Sequence, residues 1–121
     1  MLTGTDDALA VRDLRLLRDL YRALADPTRL RICAILTGGG RMSVSELSAR
    51  VGLSQPLMSW HLRVLRLAGL IETRRHGRET LCVIRPAAFS ALAAAQQRLV
   101  AGELRIAAAR RLDTTRLADV R

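Results

Sequence analysis

A mainly helical (α+β) fold carrying one two-stranded hairpin is what this chain predicts, on three observations. Between Ser43 and Leu70, two capped amphipathic helical segments follow one another across a short turn. A basic hairpin pattern, Leu70 to Ile84, comes directly after them. Leu- and Ala-rich segments of helical period lie on either side, at 1–25 and 86–112. Helix, tight turn, helix and hairpin in that order make a winged helix-turn-helix. The helix-turn-helix spans 43–69, the two-stranded wing 70–84, and the N- and C-terminal helices are left for dimerisation. At 121 residues the chain fits one domain.

Each element has a local reason. Asp6 or Asp7 can cap a first helix running to about Leu24, with Leu9, Leu16, Leu17, Leu20 and Leu24 as its apolar stripe. Asp26-Pro27 is an N-cap followed by proline at the first helical position. A second helix is expected from Thr28 to Leu36, with Leu30, Ile32, Ile35 and Leu36 in the core. Gly38-Gly39-Gly40 is a break and not a phosphate loop, because no Lys-Ser/Thr follows it and no strand precedes it.

Ser43 and Glu46 have capping-box spacing, and Leu47 and Val51 share a face of the helix that follows. Gly52 is placed to end that helix. Ser54 caps the next one, Pro56 is tolerated in its first turn, and Met58, Leu62 and Leu65 form its buried stripe. Gly69 stops it. Two strand-like runs, Leu70 to Arg74 and Glu79 to Ile84, flank the turn Arg75-His76-Gly77-Arg78.

Subtracting the buried stripe leaves Gln55, Ser59, Trp60, Arg63 and Arg66 facing outward. The second helix of such a unit enters the DNA major groove with its N-terminal half. Gln can pair with adenine N6/N7 and Arg with guanine O6/N7. Ser54, Ser59 and His61 are placed for phosphates or packing. Arg74, Arg75, His76 and Arg78 give the hairpin a cationic tip suited to phosphates or the minor groove. The expected DNA contacts are therefore Ser54, Gln55, Ser59, Trp60, His61, Arg63, Arg74, Arg75, His76 and Arg78.

Charge agrees. The net charge is +9, the sequence pI is about 11.5, and all twenty basic residues are Arg. Seven of them, with only Glu46 and Glu72 in opposition, fall between Gly40 and Arg78. A polyanionic partner such as double-stranded DNA is favoured. No apolar run reaches membrane-span length, and the N-terminus has early acids in place of a signal-peptide core. A cytoplasmic protein without membrane association is implied.

The last helix is expected to run from Pro86 to about Leu112. Leu92, Ala95, Leu99, Gly102, Ile106 and Ala109 follow a helix-seam spacing in which small residues alternate with large ones. A helix of that length is too long for a small domain to bury alone. Packing with the first helix across a two-fold axis predicts a homodimer interface of Leu9, Leu16, Leu20, Leu92, Leu99, Gly102 and Ile106. Such a dimer would read two half-sites about 34 Å apart.

The strings ALADPTRLRI (Ala23 to Ile32), LSQPLMSWHLRVLRLAGLI (Leu53 to Ile71) and RRHGRE (Arg74 to Glu79) resemble the ArsR/SmtB family of dimeric winged-helix repressors. The resemblance implies a homodimer on an inverted-repeat operator, released by an inducer that is usually a metal or metalloid ion. It also places Gln55, Ser59 and His61 on the family's recognition-helix pattern. Trp60 departs from that pattern, since a polar or basic residue is commoner there.

Both familiar metal sites are missing from the sequence. Where many members carry Cys-x-Cys, this chain reads Ser43-Val44-Ser45, and hydroxyls do not replace thiolates for soft ions. The terminal helix has no His, and its only carboxylate is Glu103. No cofactor is evident, and no metal-ligand set is assigned. A transition-metal effector at an atypical site, an effector-sensing partner protein, and a thiol signal through Cys33 and Cys82 all stay open. Free Cys more often acts as a small buried hydrophobe.

Enzymatic activity has little support. Ser59 and His61 lie two apart on one helix and point different ways, and no nucleophile elbow or phosphate loop accompanies them. The alternative to a DNA-binding regulator, repressor or activator, is a winged-helix protein–protein interaction module without specific DNA binding.

Overall fold

The chain's helices begin and end where its short polar residues and glycines allow. In a computed structural model describing residues 4–105, five helices and three strands follow in order. They are α1 (Gly4–Leu24), α2 (Pro27–Gly39), β1 (Met42–Ser43), α3 (Val44–Val51), α4 (Gln55–Leu67), β2 (Ile71–His76), β3 (Glu79–Ile84) and α5 (Pro86–Val100). The first helix starts at Gly4, upstream of Asp6 and Asp7. The winged helix-turn-helix expected from the sequence is present, as a mostly helical fold with a small antiparallel sheet.

The chain divides into two compact units, Leu20–Ser90 and the residues on either side of it. Within Leu20–Ser90, Asp26 caps α2 by accepting the Arg29 N–H at 3.1 Å, and Pro27 takes a first-turn position. Ser43 and Glu46 close the expected capping box on α3. Gly52 ends that helix, its N–H donating to the Ser48 carbonyl at 2.8 Å. Ser54 then caps α4 by accepting the Leu57 N–H.

The core of this unit is built by Leu20, Ile32, Leu36, Leu47, Met58, Leu62, Leu65, Leu70, Ile71 and Cys82, all nearly or fully buried. The second helix departs from expectation. Ile32 and Leu36 are buried, Ile35 is half-buried and Leu30 is exposed. The buried stripe is Arg29, Ile32, Cys33 and Leu36. That spacing of 3, 1 and 3 residues is one face of an α-helix. The helix also continues through Gly38 to Gly39, so the glycine run breaks it only at its end.

The wing is the antiparallel pair β2·β3, running in register from Ile71↔Ile84 to His76↔Glu79. Pairing continues to His76, so the turn is the two residues Gly77 and Arg78 in place of the expected four. Gly77 has φ +64, which a tight hairpin turn requires at its first central position and which glycine adopts without steric cost. A third strand joins the sheet: Met42 pairs with Cys82 and Ser43 with Leu81, giving the order β1-β3-β2. Two residues are too short for any periodic signal, so the sequence gives no warning of β1.

In the flanking unit Ala10, Val11, Leu17, Leu92 and Ala95 are buried, and Arg98 Nε donates to Asp13 Oδ2 at 2.7 Å. The last helix ends at Val100 and does not continue through Gly102. Gly102 has φ +78, its N–H donates to Leu99 O, and the Glu103 N–H donates to Arg98 O. This is a Schellman stop, in which glycine takes the left-handed position. Gly102 is therefore a helix terminator and not the interior seam residue that its spacing suggested. Ile106, Ala109 and Leu112 lie outside the described residues. No helix among the described residues is long and apolar enough to cross a membrane.

Candidate nucleic-acid interface

Three buried leucine and methionine positions on α4 set what its other face presents. With Met58, Leu62 and Leu65 inward, Gln55, Ser59, Trp60, Arg63 and Arg66 are exposed. Gln55 occupies the first helical position, and its Nε2 donates to Ser45 Oγ at 3.2 Å. Ser45, the residue before the helix turn's own glutamate, thus steadies the amide that would read a base. The Ser54 hydroxyl is engaged in the cap.

A cleft of about 220 Å³ separates α4 from the wing. Ser59, Arg63 and Arg66 line it from the helix, Thr73 and Thr80 from the two strands, and Val44 and Leu62 complete it. Donor-rich walls with two guanidinium groups suit a phosphate backbone.

The wing arginines separate by the pleat. Residues opposite one another across a ladder share a face, and alternate residues along a strand share it too. Arg75 is opposite Thr80 and two residues from Thr73, so it stands on the cleft's side of the sheet. Its Nη1 donates to Thr80 Oγ1 at 3.4 Å. Arg74 is opposite Leu81 on the other face, and its Nη2 donates to Glu72 Oε1 at 2.9 Å. Arg74, Arg75, His76 and Arg78 are all exposed. The sequence grouped them as one cationic tip; the structure divides them between two faces.

Behind the exposed face lies a buried cation that sequence reasoning missed. Arg29 is only 8% exposed. Its Nε donates to Ala23 O at 2.6 Å, its Nη2 to Arg22 O at 3.5 Å, and its Nη1 to His61 Nδ1 at 3.2 Å. A guanidinium has only donors, so Nδ1 accepts and the imidazole proton is on Nε2. The Asp26 carboxylate is 3.8 Å away. The Arg29 backbone N–H above all holds the Asp26 carboxyl below its usual range; burial opposes it, and the Arg29 guanidinium adds to the lowering. Trp60 stacks near this group: Arg29 Cζ is 5.5 Å from the indole centroid, and the His61 ring meets Trp60 edge-on at 4.9 Å and 67°.

His61, expected among the DNA contacts, is half-buried and commits Nδ1 to the interior. Trp60 remains 55% exposed. The signal for Arg29 was its helical phase with Ile32, Cys33 and Leu36.

Of the expected dimer residues, Leu9 is 51% and Leu99 45% exposed, and Leu16 is half-buried. Leu20 and Leu92 are already buried within the single chain, so packing inside the protomer accounts for them. Both cysteines are buried free thiols. Burial pushes the Cys33 thiol up, and the Cys82 thiol up to about 11. Among the described residues no group of three or more His, Cys, Asp or Glu side chains is arranged to hold a metal ion.

Known proteins resemble this chain in sequence and fold. A helix-turn-helix domain family matches residues 24–74. The biofilm growth-associated repressor of Agrobacterium fabrum is 42% identical over 60 residues, half of each chain. This chain spans about half the length of most curated relatives it matches. The solution structure of a homodimeric winged helix-turn-helix DNA-binding domain from Mycobacterium bovis is 27% identical, with a TM-score of 0.63 over 85% of this chain and 90% of that one. The crystal structure of an ArsR family transcriptional regulator is 32% identical, with a TM-score of 0.63 over 73% of this chain and 92% of that one. Sequence identity at that level over nearly all of the solved regulator, on the same winged architecture, means that the chain belongs to the ArsR family of transcriptional regulators.

Proposed function

We propose that this chain is a sequence-specific, homodimeric DNA-binding regulator that acts as a repressor on an inverted-repeat operator in the cytoplasm. The observation that carries the proposal is the cationic cleft between α4 and the wing. Ser59, Arg63 and Arg66 line the cleft, Arg75 stands on the sheet face of Thr73 and Thr80, and Gln55 precedes Ser59 by one helical turn. Its chemistry fits bases through Gln55 and Arg63 and phosphates through Ser59, Arg66, Arg75 and Arg78. The repressor names of several relatives and the homodimeric M. bovis domain support the sign of regulation and the stoichiometry. Exposed Leu9 and Leu99 are the apolar contacts we assign to the dimer.

The sulfur and hydroxyl side chains bear on the effector. Ser43 uses its hydroxyl to cap α3, and Ser45 uses its own to hold Gln55, so neither is a soft-metal ligand. Cys33 and Cys82 pack as hydrophobes, with the thiolate disfavoured in both. These residues weigh against a thiolate metal site or a redox pair, and an effector-sensing partner protein is the reading we carry forward.

Anisotropy with labelled duplex from upstream of the chain's own gene, measured over a salt series with and without competitor DNA, tests the reading. Specific binding whose affinity falls steeply with salt is expected, because phosphate neutralisation releases counterions. Salt-indifferent binding, or none that outlasts competitor, would favour the interaction-module alternative.

A further inference from the structure

We infer that Trp60 is a specificity-determining residue: its indole packs on the C5-methyl group of a thymine in each operator half-site, beside the base read by Arg63. The inference rests on the DNA-reading assignment above and deepens it.

Trp60 occupies the middle of the α4 face opposite the buried stripe. The residues two before it and two after it, Met58 and Leu62, are buried, and Ser59 and Arg63 beside it line the wing cleft. An indole there is 55% exposed and, with Leu57 exposed three residues before it on the same helix face, forms an apolar patch beside Arg63. It is also the chain's only Trp.

The ring does not hang free. Arg29 Cζ at 5.5 Å and the edge of His61 at 4.9 Å hold it from the protein side. Arg29 is in turn held by Ala23 O and Arg22 O, so the support is rigid and buried. A preorganised ring makes an apolar contact without losing rotamer freedom on binding.

The major groove decides what this ring meets. Guanine, cytosine and adenine show polar edges there, whereas thymine adds the one apolar group, its C5-methyl. Indole carries a single N–H donor and no acceptor. It cannot make the bidentate contacts by which Arg and Gln select guanine and adenine. An apolar platform beside Arg63 is matched to a methyl group.

The test uses the full chain. An operator is selected from random duplex DNA, and each thymine is then replaced singly by uracil, which removes only the methyl. One thymine per half-site is expected to matter, losing roughly fourfold in affinity for one half-site and about fifteenfold for both, the value of one buried methyl each. Trp60→Gln should bind both forms equally, and Trp60→Phe should keep part of the preference. Trp60 fluorescence should shift on binding the thymine operator, and circular dichroism checks that the variants fold. An operator whose uracil copies bind unchanged, or a uracil effect that persists in Trp60→Gln, would overturn the Trp60 assignment alone. Failure to enrich any sequence would overturn the DNA-reading assignment, and this inference with it.

Discussion

Arg29 Nη1 meets His61 Nδ1 at 3.2 Å, although the two residues lie on different helices and 32 positions apart in the chain. The same guanidinium caps the last carbonyls of α1, donating to Ala23 O at 2.6 Å. One buried side chain thus ties the end of α1 to the helix that carries the reading face. Replacing it by methionine strands His61 Nδ1 and the Ala23 carbonyl, and each loss of a charged hydrogen bond costs on the order of 1.5–3 kcal/mol. Arg29→Met is expected to lower stability by about 3–6 kcal/mol in urea unfolding. Arg29→Lys should lose less but still fail to make the forked contacts. A loss below about 0.5 kcal/mol for Arg29→Met would mean the hub is idle.

Asp26 gives the fold an acid limit. Its carboxylate accepts the Arg29 N–H and faces the Arg29 guanidinium, which lower its folded-state pKa below the usual 3.8. A depressed folded pKa contributes stability that is present above the unfolded value and lost as pH falls through the folded one. Asp26→Ala should cost about 1 kcal/mol near neutrality through loss of the cap. Asp26→Asn keeps a capping oxygen and removes the titration. Its stability relative to the parent should therefore improve as pH drops below 3.8, which acid unfolding curves of the two proteins would show.

The pleat of the wing ranks its arginines. Arg75 shares the cleft's face with Thr73 and Thr80, whereas Arg74 stands on the other face against Glu72. Arg75→Ala should weaken DNA binding at every sequence and flatten the log-affinity against log-salt slope by about 1. Arg74→Ala should do so by less than half as much. Equal effects, read from the same salt titrations, would contradict the assignment of Arg75 to the cleft.

Cys82 is completely buried and opposite Thr73 in the ladder, and its thiol is pushed up to about 11. Thiolate is then scarce at neutral pH, and it is the thiolate that reacts. Ellman's reagent should modify Cys82 far more slowly in the folded protein than in urea. Fast labelling in the folded state would restore the thiol-sensor reading.

How much of this was legible beforehand follows from the range of each signal. Capping is local, so Ser43 with Glu46, Asp26 and Ser54 were readable as helix starts, and Met58, Leu62 and Leu65 as a buried face. The pairing of β1 with β3 was not, because two residues carry no period and their partner lies about forty positions away. Arg29 was legible in phase but not in kind: a cation on a buried stripe is acceptable only when distant acceptors meet it, and Ala23 O and His61 Nδ1 become neighbours only in the fold. Gly102 fitted the seam spacing, yet its backbone conformation makes it a stop. Arg74 and Arg75 fall on opposite faces because the strand runs through both, where the sequence pattern ended it at Arg74, and register decides which of them meets the cleft.

The most direct test of the central claim is the stoichiometry and footprint of the chain on an operator selected from random duplex DNA. Two copies per duplex are expected, protecting two inverted half-sites whose centres lie about 34 Å apart, with Gln55→Ala/Arg63→Ala abolishing the preference for that sequence while the dimer persists. A single copy bound without symmetry, or a preference untouched by the double substitution, would contradict it.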